Sequence, residues 1–319
     1  MKAPVKAMRE VWGETLVEVG RADPRLLVLD GDLANSTKAD TFAKALPDRF
    51  LQLGIAEQNL VGTAVGLASM GFVPWLSSFA VFFTHRALDP IRMLVAQTGA
   101  NVKVAGSYSG LLTGLTGKTH QDVADLAIMR AMPGMVVLAP ADGAECAEMV
   151  RWATEYDGPV YLRLARDAAA DVFTEPVSEF RPGRVHTLRA GRHLTFVSTG
   201  VQTSRVLEAA AILSTHQIEA AVVHVPCLKP LDETALLAAL TDARLVVSVE
   251  EHSIFGGLGG LLAELLSASG AHPPLQRIGL PDEWGESAPN DFLLEKFGLS
   301  GSRLAARVRD LLLEPAAGR

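Results

Sequence analysis

The sequence predicts an α/β protein of two domains, each built on a parallel sheet with helices on both faces. Short runs rich in β-branched residues alternate with helical stretches, as happens when helices join parallel strands. The same pattern starts again after residue 184. At 319 residues the chain is also longer than one ordinary core supports, so we expect two cores.

The elements can be assigned in order along the chain. Predicted strands in the first half are LLVLD (26–30), FVPWLSS (72–78), VKVAG (102–106), MVVLAP (135–140) and PVYLRLA (159–165). Helices are predicted for DVADLAIMRAM (122–132) and DGAECAEMVRWATEY (142–156). Predicted strands in the second half are HLTFVSTG (193–200), AAVVHVP (220–226) and RLVVSVEE (244–251). The domains therefore span residues 1–168 and 185–319, with a linker at 169–184.

Composition narrows the class of protein. The 29 basic and 36 acidic side chains give a net charge of −7 and form no basic block, which argues against nucleic-acid binding. We expect a cytoplasmic protein, because the chain shows no cleavable leader, no apolar run long enough to span a membrane, and only two cysteines. Hydrophobic content of 49% with 6% aromatics predicts apolar surface buried between subunits.

Glu57 stands where an extended apolar stretch meets a helix of small residues. The segment LGIAEQN (53–59) leads into LVGTAVGLASMG, which ends at Gly71. A helix with so little side-chain bulk predicts close approach of another group to its backbone. Glu57 could simply stabilise the first turn of this helix through the macrodipole, or it could carry chemistry.

Two further stretches could form a site. GLTGKTHQD (114–122) predicts a glycine-rich turn entering a helix, with Thr119 as its cap and free N–H groups that suit an anion. His120 in that turn is either a surface residue or a catalyst. In the next stretch, Phe79, Phe82 and His85 are spaced to share one face of a helix. Side chains on such a face either pack in the hydrophobic core or form a flat surface on which a heteroaromatic ring can stack.

Other familiar sites are excluded. A calcium loop starting at Asp30 would need an oxygen ligand at Ala34 and a glycine at Asn35. FGGLGG (255–260) lacks the spacing of a dinucleotide-binding turn. The chain contains no cysteine pair at zinc spacing, no HExxH motif and no GxSxG motif. We therefore expect no metal ligands on this chain.

The ordered set of motifs resembles the C-terminal half of transketolase, as found in split, two-gene transketolases. That half contains the pyrimidine-binding domain and the C-terminal domain, and the resemblance covers nearly the whole chain. The motifs that carry it are GDLANS, LGIAEQN, SSFAVFF, GLTGKTHQD, RAMPGMVVLAPADGAE, YLRLARD, CLKPLDE and VVSVEEHSIFGGLGG.

The resemblance implies a role for each cofactor-site residue. Glu57 matches the glutamate that protonates N1′ of the thiamine diphosphate aminopyrimidine and so favours the imino tautomer that deprotonates the thiazolium C2. Phe79 and Phe82 match aromatic residues that stack on the pyrimidine, and His85 takes the third place of that stripe, which is often tyrosine. Asp32 matches an acid near the cofactor.

The same resemblance implies roles for substrate-site residues, although two of these residues differ from those that the family usually has. His120 matches a histidine that contacts substrate oxygens, and Ser36 and Arg166 match groups that hold the substrate phosphate. Thr116 stands where an aspartate usually binds a substrate hydroxyl, and Tyr108 stands where histidine is usual. These departures predict ketol transfer with a non-standard sugar.

A partner is implied as well. The half of transketolase that carries the Gly-Asp-Gly magnesium motif is missing, since GDLANS has Leu33 in place of the last glycine. The resemblance therefore implies that thiamine diphosphate and Mg²⁺ bind with an N-terminal subunit that supplies the diphosphate-binding domain and the metal ligands. The expected assembly is a heterotetramer.

Three alternatives remain at this point. The beta subunit of a 2-oxo acid dehydrogenase shares the architecture, the cofactor and a similar GIAEQ motif, but TGKTHQD, APADGAE and Arg166 favour transketolase. 1-Deoxyxylulose-5-phosphate synthase differs in carrying both cofactor halves on one chain. A non-catalytic assembly subunit is the third alternative, and the presence of Glu57 counts against it.

Overall fold

Twelve β-strands form two sheets in the computed structural model, which describes residues 5–173 and 179–313. The strands are β1 (Leu26–Asp30), β2 (Phe50–Gln52), β3 (Val73–Phe79), β4 (Lys103–Ser107), β5 (Val136–Leu138), β6 (Val160–Leu164), β7 (His186–Arg189), β8 (Leu194–Ser198), β9 (Ala220–His224), β10 (Cys227–Lys229), β11 (Val246–Ser253) and β12 (Leu275–Leu280).

Helices connect these strands and cover both faces of the sheets. The α-helices are α1 (Met8–Ala22), α2 (Ala34–Thr37), α3 (Ala39–Ala45), α4 (Glu57–Ser69), α5 (Leu88–Pro90), α6 (Asp125–Arg130), α7 (Gly143–Glu155), α8 (Gln202–Thr215), α9 (Glu233–Leu240), α10 (Leu258–Ala268), α11 (Asn290–Lys296) and α12 (Gly301–Leu313). Phe82–Arg86 and Ile91–Ala96 are π-helical, and Pro47–Arg49 and Gly114–Thr116 are 3₁₀ turns. No helix in these described ranges is long and apolar enough to cross a bilayer.

The first sheet has seven strands in the order β10-β5-β6-β4-β3-β1-β2, and the second has five in the order β12-β11-β8-β9-β7. Most neighbours are parallel, as predicted, but β10 pairs with β5 and β7 pairs with β9 in antiparallel orientation. β10 follows β9 of the second sheet in the chain yet joins the edge of the first. The two domains therefore share a sheet edge as well as a side-chain interface.

Burial on both faces explains why the strands are apolar along their whole length. Every residue of β1 is buried, and Leu26 and Val28 pack in one core while Leu27 and Leu29 pack in the other. Side chains that alternate along a strand point to opposite faces, so each face of the sheet has its own helical layer.

The predicted strands are all present, with ends that differ by up to two residues. The helix predicted at 142–156 is α7, whose start is capped by Asp142 through a hydrogen bond from Glu145 N to Asp142 Oδ1 at 3.0 Å. The strands β2, β7, β10 and β12 were not predicted, because short or half-exposed strands have no distinct period. The linker predicted at 169–184 includes 174–178, which lie outside the described residues.

Candidate active site

Most of the predicted site residues follow the carboxyl ends of strands in the first sheet. Asp32 and Ser36 follow β1, Glu57 follows β2, Tyr108 follows β4 and Arg166 follows β6, while β3 ends at Phe79. These strands are parallel neighbours, so their carboxyl ends meet at one edge of the sheet. Ligands of open α/β sheets bind at this edge.

Glu57 is the first residue of α4 and only 4% of its side chain is exposed. Its Oε1 accepts a hydrogen bond from Arg86 Nη1 at 3.0 Å. An acidic side chain is favoured at the N-terminal end of a helix, and the guanidinium adds an opposite charge beside it. The carboxylate is therefore held at a defined place on the sheet edge.

A row of stacked side chains leads away from Glu57. Arg86 lies over the ring of Phe82, with its guanidinium carbon 3.9 Å from the ring centroid. The centroid of Phe82 is 5.7 Å from that of Phe79, and the centroid of Phe79 is 3.9 Å from that of Tyr108. Both ring pairs are stacked, so the four side chains form one continuous surface.

The structure corrects the prediction that Phe79, Phe82 and His85 share one face of a helix. Phe79 is the last residue of β3, and π-helical geometry spans Phe82–Arg86. The two phenylalanines still stack, but His85 turns its Nδ1 to Thr84 Oγ1 at 2.8 Å. A π-helical turn holds more residues than a regular α-helical turn. His85 therefore does not lie on the face that Phe79 and Phe82 share.

Two guanidiniums lie close to the Tyr108 ring at the far end of the row. The guanidinium carbons of Arg9 and Arg166 lie 5.6 and 5.5 Å from the Tyr108 ring centroid. Arg9 Nη1 donates to Tyr108 Oη at 3.1 Å and to the carbonyl oxygen of Ser36 at 2.5 Å. The Nε atoms of both arginines are buried and have no partner among the described residues. Two guanidiniums close together at one end of the row suit an oxyanion.

Helix α2, which carries Ser36, is fixed by the end of β1. Asp30 Oδ2 accepts hydrogen bonds from Leu33 N at 2.9 Å and Ala34 N at 3.1 Å, and also from Gln52 Nε2 at 2.8 Å. Burial raises the pKa of Asp30 above its ordinary value, and these donors act in the opposite direction. The carboxylate thus ties β1, β2 and α2 together beside the end of the row where Arg9 bonds to Ser36.

His120 lies against the middle of the row. Its ring meets Phe79 and Phe82 edge-on, with centroids 5.8 and 5.6 Å away. The structure corrects the predicted helix start at Thr119: the helix begins at Asp125, and Thr119 Oγ1 instead lies 2.8 Å from His120 Nδ1. Because Thr119 engages Nδ1, Nε2 is the nitrogen that a ligand can reach.

Asp122 joins this loop to the π-helix. Its Oδ2 accepts a hydrogen bond from Thr84 Oγ1 at 2.6 Å, and its Oδ1 accepts one from Ala124 N at 3.0 Å. Burial, with a smaller contribution from Asp125, raises the pKa of the Asp122 carboxyl. Asp122 therefore fixes the loop of His120 to the segment of Phe82.

Three predicted residues are not joined to the row by a hydrogen bond or ring contact within the described ranges. The Asp32 side chain is exposed, and its backbone N–H donates to Gln52 Oε1 at 3.0 Å. His85 is exposed and bonded to Thr84. Thr116 Oγ1 bonds back to its own turn, 2.9 Å from the carbonyl oxygen of Thr113.

Sequence reasoning missed two members of the row, Arg9 and Arg86. Arg9 lies in the first turns of α1, where a basic residue usually faces solvent, and no motif surrounds it. In the sequence, the only feature that pointed to Arg86 was its position directly after the aromatic stretch. Both contacts depend on long-range packing, since Arg9 reaches Tyr108 across 99 residues of sequence.

The fold and the site define a class: a two-domain α/β protein with a buried carboxylate, a row of ring faces and a cationic end at one sheet edge. Residues 5–171 match the transketolase pyrimidine-binding domain, and residues 183–304 match the transketolase C-terminal domain. The chain belongs to the transketolase family.

Individual relatives agree with this assignment. The chain is 41% identical over 306 residues to the "Putative transketolase C-terminal section" of Methanocaldococcus jannaschii, covering 96% of each chain. It is 36% identical over 304 residues to the 6-deoxy-6-sulfo-D-fructose transketolase subunit SqwH of Clostridium sp. strain MSTE9, covering 95% of this chain and 94% of that one. A solved "Split gene transketolase, inactive beta4 tetramer" has a TM-score of 0.87 at 41% identity, covering 97% of this chain and 99% of that one. The predicted family and fold class are confirmed.

The family depends on thiamine diphosphate, and the residues present fit its aminopyrimidine. The ring of Phe82 already carries the flat guanidinium of Arg86, so a flat heterocycle can stack on the same face. A Cβ placed on Gly62 or Gly66 of α4 would have nothing within 4 Å, so the helix behind Glu57 is open on that side. Among residues 5–173 and 179–313, no group of three or more His, Cys, Asp or Glu side chains could hold a metal ion.

Proposed function

We propose that this chain is one subunit of a two-subunit, thiamine diphosphate-dependent transketolase that moves a two-carbon ketol unit between sugars with a terminal anionic group. One observation carries the proposal: Glu57, the stacked rings and the two guanidiniums form a single row along the sheet edge. The carboxylate lies at one end for the cofactor, and the cations lie at the other for the anion of the sugar. A 2-oxo acid dehydrogenase subunit has less use for that cationic end, because a 2-oxo acid carries a carboxylate beside its carbonyl but no terminal phosphate or sulfonate.

When bound, the cofactor supplies the carbon that carries the two-carbon unit between sugars. Glu57 holds a proton at N1′ of the aminopyrimidine, and its burial keeps competing water away from that proton. Phe79 and Phe82 orient the ring by stacking, and the contact of the flat Arg86 guanidinium with Phe82 supports this role. His120 lies edge-on to both and presents Nε2 to a substrate oxygen.

The anionic group of the sugar binds between Arg9 and Arg166. Both guanidinium carbons lie within 5.6 Å of the Tyr108 ring centroid, and the hydroxyl of Tyr108 already accepts a hydrogen bond from Arg9. Ser36 adjoins them, because its carbonyl accepts from the same arginine. Phosphate and sulfonate are both tetrahedral oxyanions that match guanidinium forks. The relative named for 6-deoxy-6-sulfo-D-fructose supports a terminal anion that need not be phosphate.

The sugar itself is a non-standard one. Thr116, which stands where an aspartate usually binds a substrate hydroxyl, uses its own hydroxyl within a 3₁₀ turn. A neutral hydroxyl contributes about 0.5–1.5 kcal/mol to a hydrogen bond, against about 1.5–3 kcal/mol when one partner is charged. Selection by hydroxyl configuration is therefore weaker at this position, and a deoxy, branched or sulfonated sugar fits the same site.

The active assembly contains a second chain. An N-terminal transketolase subunit supplies the diphosphate site and the Mg²⁺ ligands, and we place two copies of each chain in a heterotetramer. The solved relative described as an inactive tetramer of beta chains supports the idea that a chain of this kind alone has no activity. Exposed apolar residues beside α4, Ile55 and Met70, with 72% and 74% of their surface exposed, are suited to burial against such a partner.

Reconstitution tests the proposal. Thiamine diphosphate with Mg²⁺ is titrated by calorimetry into the purified chain, into a partner chain carrying Gly-Asp-Gly, and into their mixture, and ketol transfer is then assayed in all three. We expect weak binding and no transfer with either chain alone, and tight binding with transfer in the mixture, because cofactor contacts are divided between the chains.

Two outcomes would contradict the proposal. Tight, Mg²⁺-dependent binding to this chain alone would show that the cofactor site is complete without a partner. Decarboxylation of a 2-oxo acid by the mixture, without ketol transfer to any aldose, would favour the dehydrogenase subunit instead.

A further inference from the structure

Residues 109–121, here called the substrate loop, carry Thr116 and His120 and lie against the second domain. The loop contains one 3₁₀ turn, Gly114–Thr116, but otherwise has little regular secondary structure. Its backbone groups therefore depend on partners from elsewhere in the chain. Several of those partners are in the second domain, more than 130 residues further along the sequence.

Glu251, near the end of β11, holds the start of the loop. Its Oε1 accepts hydrogen bonds from Leu111 N at 2.6 Å and Leu112 N at 3.0 Å. Gly110 has a φ of 75°, and a Cβ there would lie 2.5 Å from Glu251 Oε1, so glycine permits this close approach. Only 1% of Glu251 is exposed, which makes the carboxylate a rigid anchor for two adjacent amides.

A second set of contacts holds the rest of the loop. Asn290 Nδ2 donates to the carbonyl oxygen of Leu112 at 3.3 Å, and Ser287 Oγ donates to that of Leu115 at 2.5 Å. From the loop side, Gln121 Nε2 donates to the carbonyl oxygen of Glu286 at 3.2 Å. The second domain thus holds the segment from one end to the other.

The same asparagine reaches the anion-binding end of the site. Asn290 Nδ2 also donates to Asp167 Oδ2 at 2.6 Å, and Asp167 Oδ1 accepts from Arg166 Nη1 at 2.9 Å. Asn290 therefore connects the substrate loop to Arg166 through one carboxylate. A movement of the second domain at this point would shift both.

Glu251 itself is fixed independently of the loop. Its Oε2 accepts from Arg205 Nη1 at 3.0 Å, and its backbone carbonyl accepts from Arg163 Nη2 at 2.9 Å. Arg163 in turn donates to Asp125 Oδ2 at 2.8 Å in the first domain. Removing the Glu251 side chain would leave the carbonyl contact with Arg163 in place and would release mainly the loop and Arg205.

We propose that Glu251 and Asn290 are positioning residues through which the second domain sets the substrate loop and Arg166, and so determines which sugars the enzyme accepts. This inference rests on the proposed function. Neither residue has a described contact with Glu57, Phe79 or Phe82, and the clamp reaches those two rings only through other residues, such as His120 of the loop, so cofactor activation should change far less than sugar selection.

The test compares Glu251→Ala, Glu251→Gln and Asn290→Ala with wild type in the reconstituted holoenzyme. Small displacements of substrate-contacting groups cost up to about 100-fold, so we expect Glu251→Ala to raise KM by about 10- to 100-fold and to change the kcat/KM ratio between sugars. Glu251→Gln keeps an oxygen acceptor for both amides and should restore most of the selectivity. Hydrogen–deuterium exchange at the cofactor C2 should stay within about twofold of wild type in all three, since Glu57 acts alone there.

Glu250→Ala is the matched control. Glu250 is the neighbouring buried carboxylate, but it accepts from Leu258 N and Gly259 N at the start of α10 and not from the loop. This variant should lose stability while keeping the sugar preference of wild type. If Glu251→Ala does likewise, lowering only the unfolding temperature, the positioning role is wrong.

A measurement on the full chain without cofactor keeps the inference testable on its own. Amide hydrogen exchange of residues 109–121 should become faster in Glu251→Ala and in Asn290→Ala, and should stay unchanged in Glu250→Ala. Asn290→Ala leaves the contacts of Glu251 with Arg205 and Arg163 intact. This variant therefore provides the test if Glu251→Ala does not fold. Unchanged exchange in Asn290→Ala, together with unchanged selectivity, would overturn the inference. Absence of C2 exchange in the wild-type holoenzyme would instead count against the proposed function.

Discussion

Arg86 holds Glu57 in a way that leaves the carboxylate available. The guanidinium is 3.0 Å from Glu57 Oε1, but 51% of the Arg86 side chain is exposed. An ion pair with one exposed partner contributes little, because water competes for the guanidinium. A cofactor nitrogen can therefore replace Arg86 beside Glu57 at low cost, while Arg86 swings into solvent and leaves the face of Phe82 to the cofactor ring.

Replacing Glu57 by glutamine should remove proton donation without changing the size of the side chain. General acid–base groups contribute about 10²- to 10⁴-fold, so exchange of the cofactor C2 proton in reconstituted Glu57→Gln should slow by at least about 100-fold. Cofactor affinity should change less, since the stacking surfaces remain. Wild-type exchange rates in the variant would exclude Glu57 as the proton donor.

Position 116 should control sugar preference. A carboxylate there would form a charge-assisted hydrogen bond, which is stronger than a threonine hydroxyl by about 1 kcal/mol or more. Thr116→Asp should therefore raise kcat/KM for xylulose 5-phosphate with ribose 5-phosphate by about fivefold or more, relative to 6-deoxy-6-sulfofructose as donor. Thr215→Asp adds the same charge on α8 and should change none of these ratios. A wild type that already prefers the ordinary pair, with no effect of Thr116→Asp, would contradict our assignment.

At the scale of elements, α4 is the surface on which we place the proposed partner chain. Its small residues were predicted to allow close approach of another group, yet a Cβ added to Gly62 or Gly66 would have no neighbour within 4 Å among the described residues. Glycine in a helix costs about 1 kcal/mol relative to alanine. A helix that carries this cost on an open face is suited to contact another chain closely.

Gly66→Leu should separate folding from assembly. In the isolated chain the change removes a helix glycine on an exposed face, so stability to urea should rise or stay within about 0.5 kcal/mol. Affinity for the partner chain should fall by tenfold or more, because the new side chain occupies the contact face. Ser267→Leu adds similar bulk on the exposed face of α10 and should leave affinity unchanged. Equal affinities in the two variants would place the partner elsewhere.

At the scale of the whole molecule, Lys103 links stability to pH. This fully buried lysine on β4 donates to the carbonyl oxygens of Tyr156 and Gly158 at 2.6 Å each, at the connection between α7 and β6. Burial lowers the pKa of Lys103 from 10.5 to about 7. The unfolded chain therefore binds one more proton than the folded chain between about pH 7 and pH 10.5.

The free energy of unfolding of wild type, relative to that of Lys103→Met, should rise with pH between about pH 7 and pH 10.5. Because the unfolded state holds the extra proton there, the contribution of Lys103 increases by up to about 1.4 kcal/mol per pH unit and is flat below the folded pKa. Urea unfolding of both proteins from pH 6 to pH 9 measures the difference. A difference that does not vary with pH would show that Lys103 keeps an ordinary pKa.

Much of this protein could be derived from its sequence alone. Continuous apolar runs predicted the central strands, because a strand between two helical layers is buried on both faces. The resemblance named Glu57, Tyr108 and Arg166 as site residues, and in the structure they follow the carboxyl ends of parallel strands, which meet at one edge of the sheet. The ordered motifs predicted the family, which the comparisons confirm.

Only the tertiary structure decided how distant segments complete the site. Arg9 reaches Tyr108 across 99 residues, and Glu251 reaches Leu111 across 140. The strand order, with β10 on the edge of the first sheet, has no local signal either. Periodicity reports the neighbours of a residue along its own helix or strand, whereas these contacts arise when whole layers pack together. The sequence thus determined the central elements and the candidate site residues, and packing between layers and domains determined the geometry of the site.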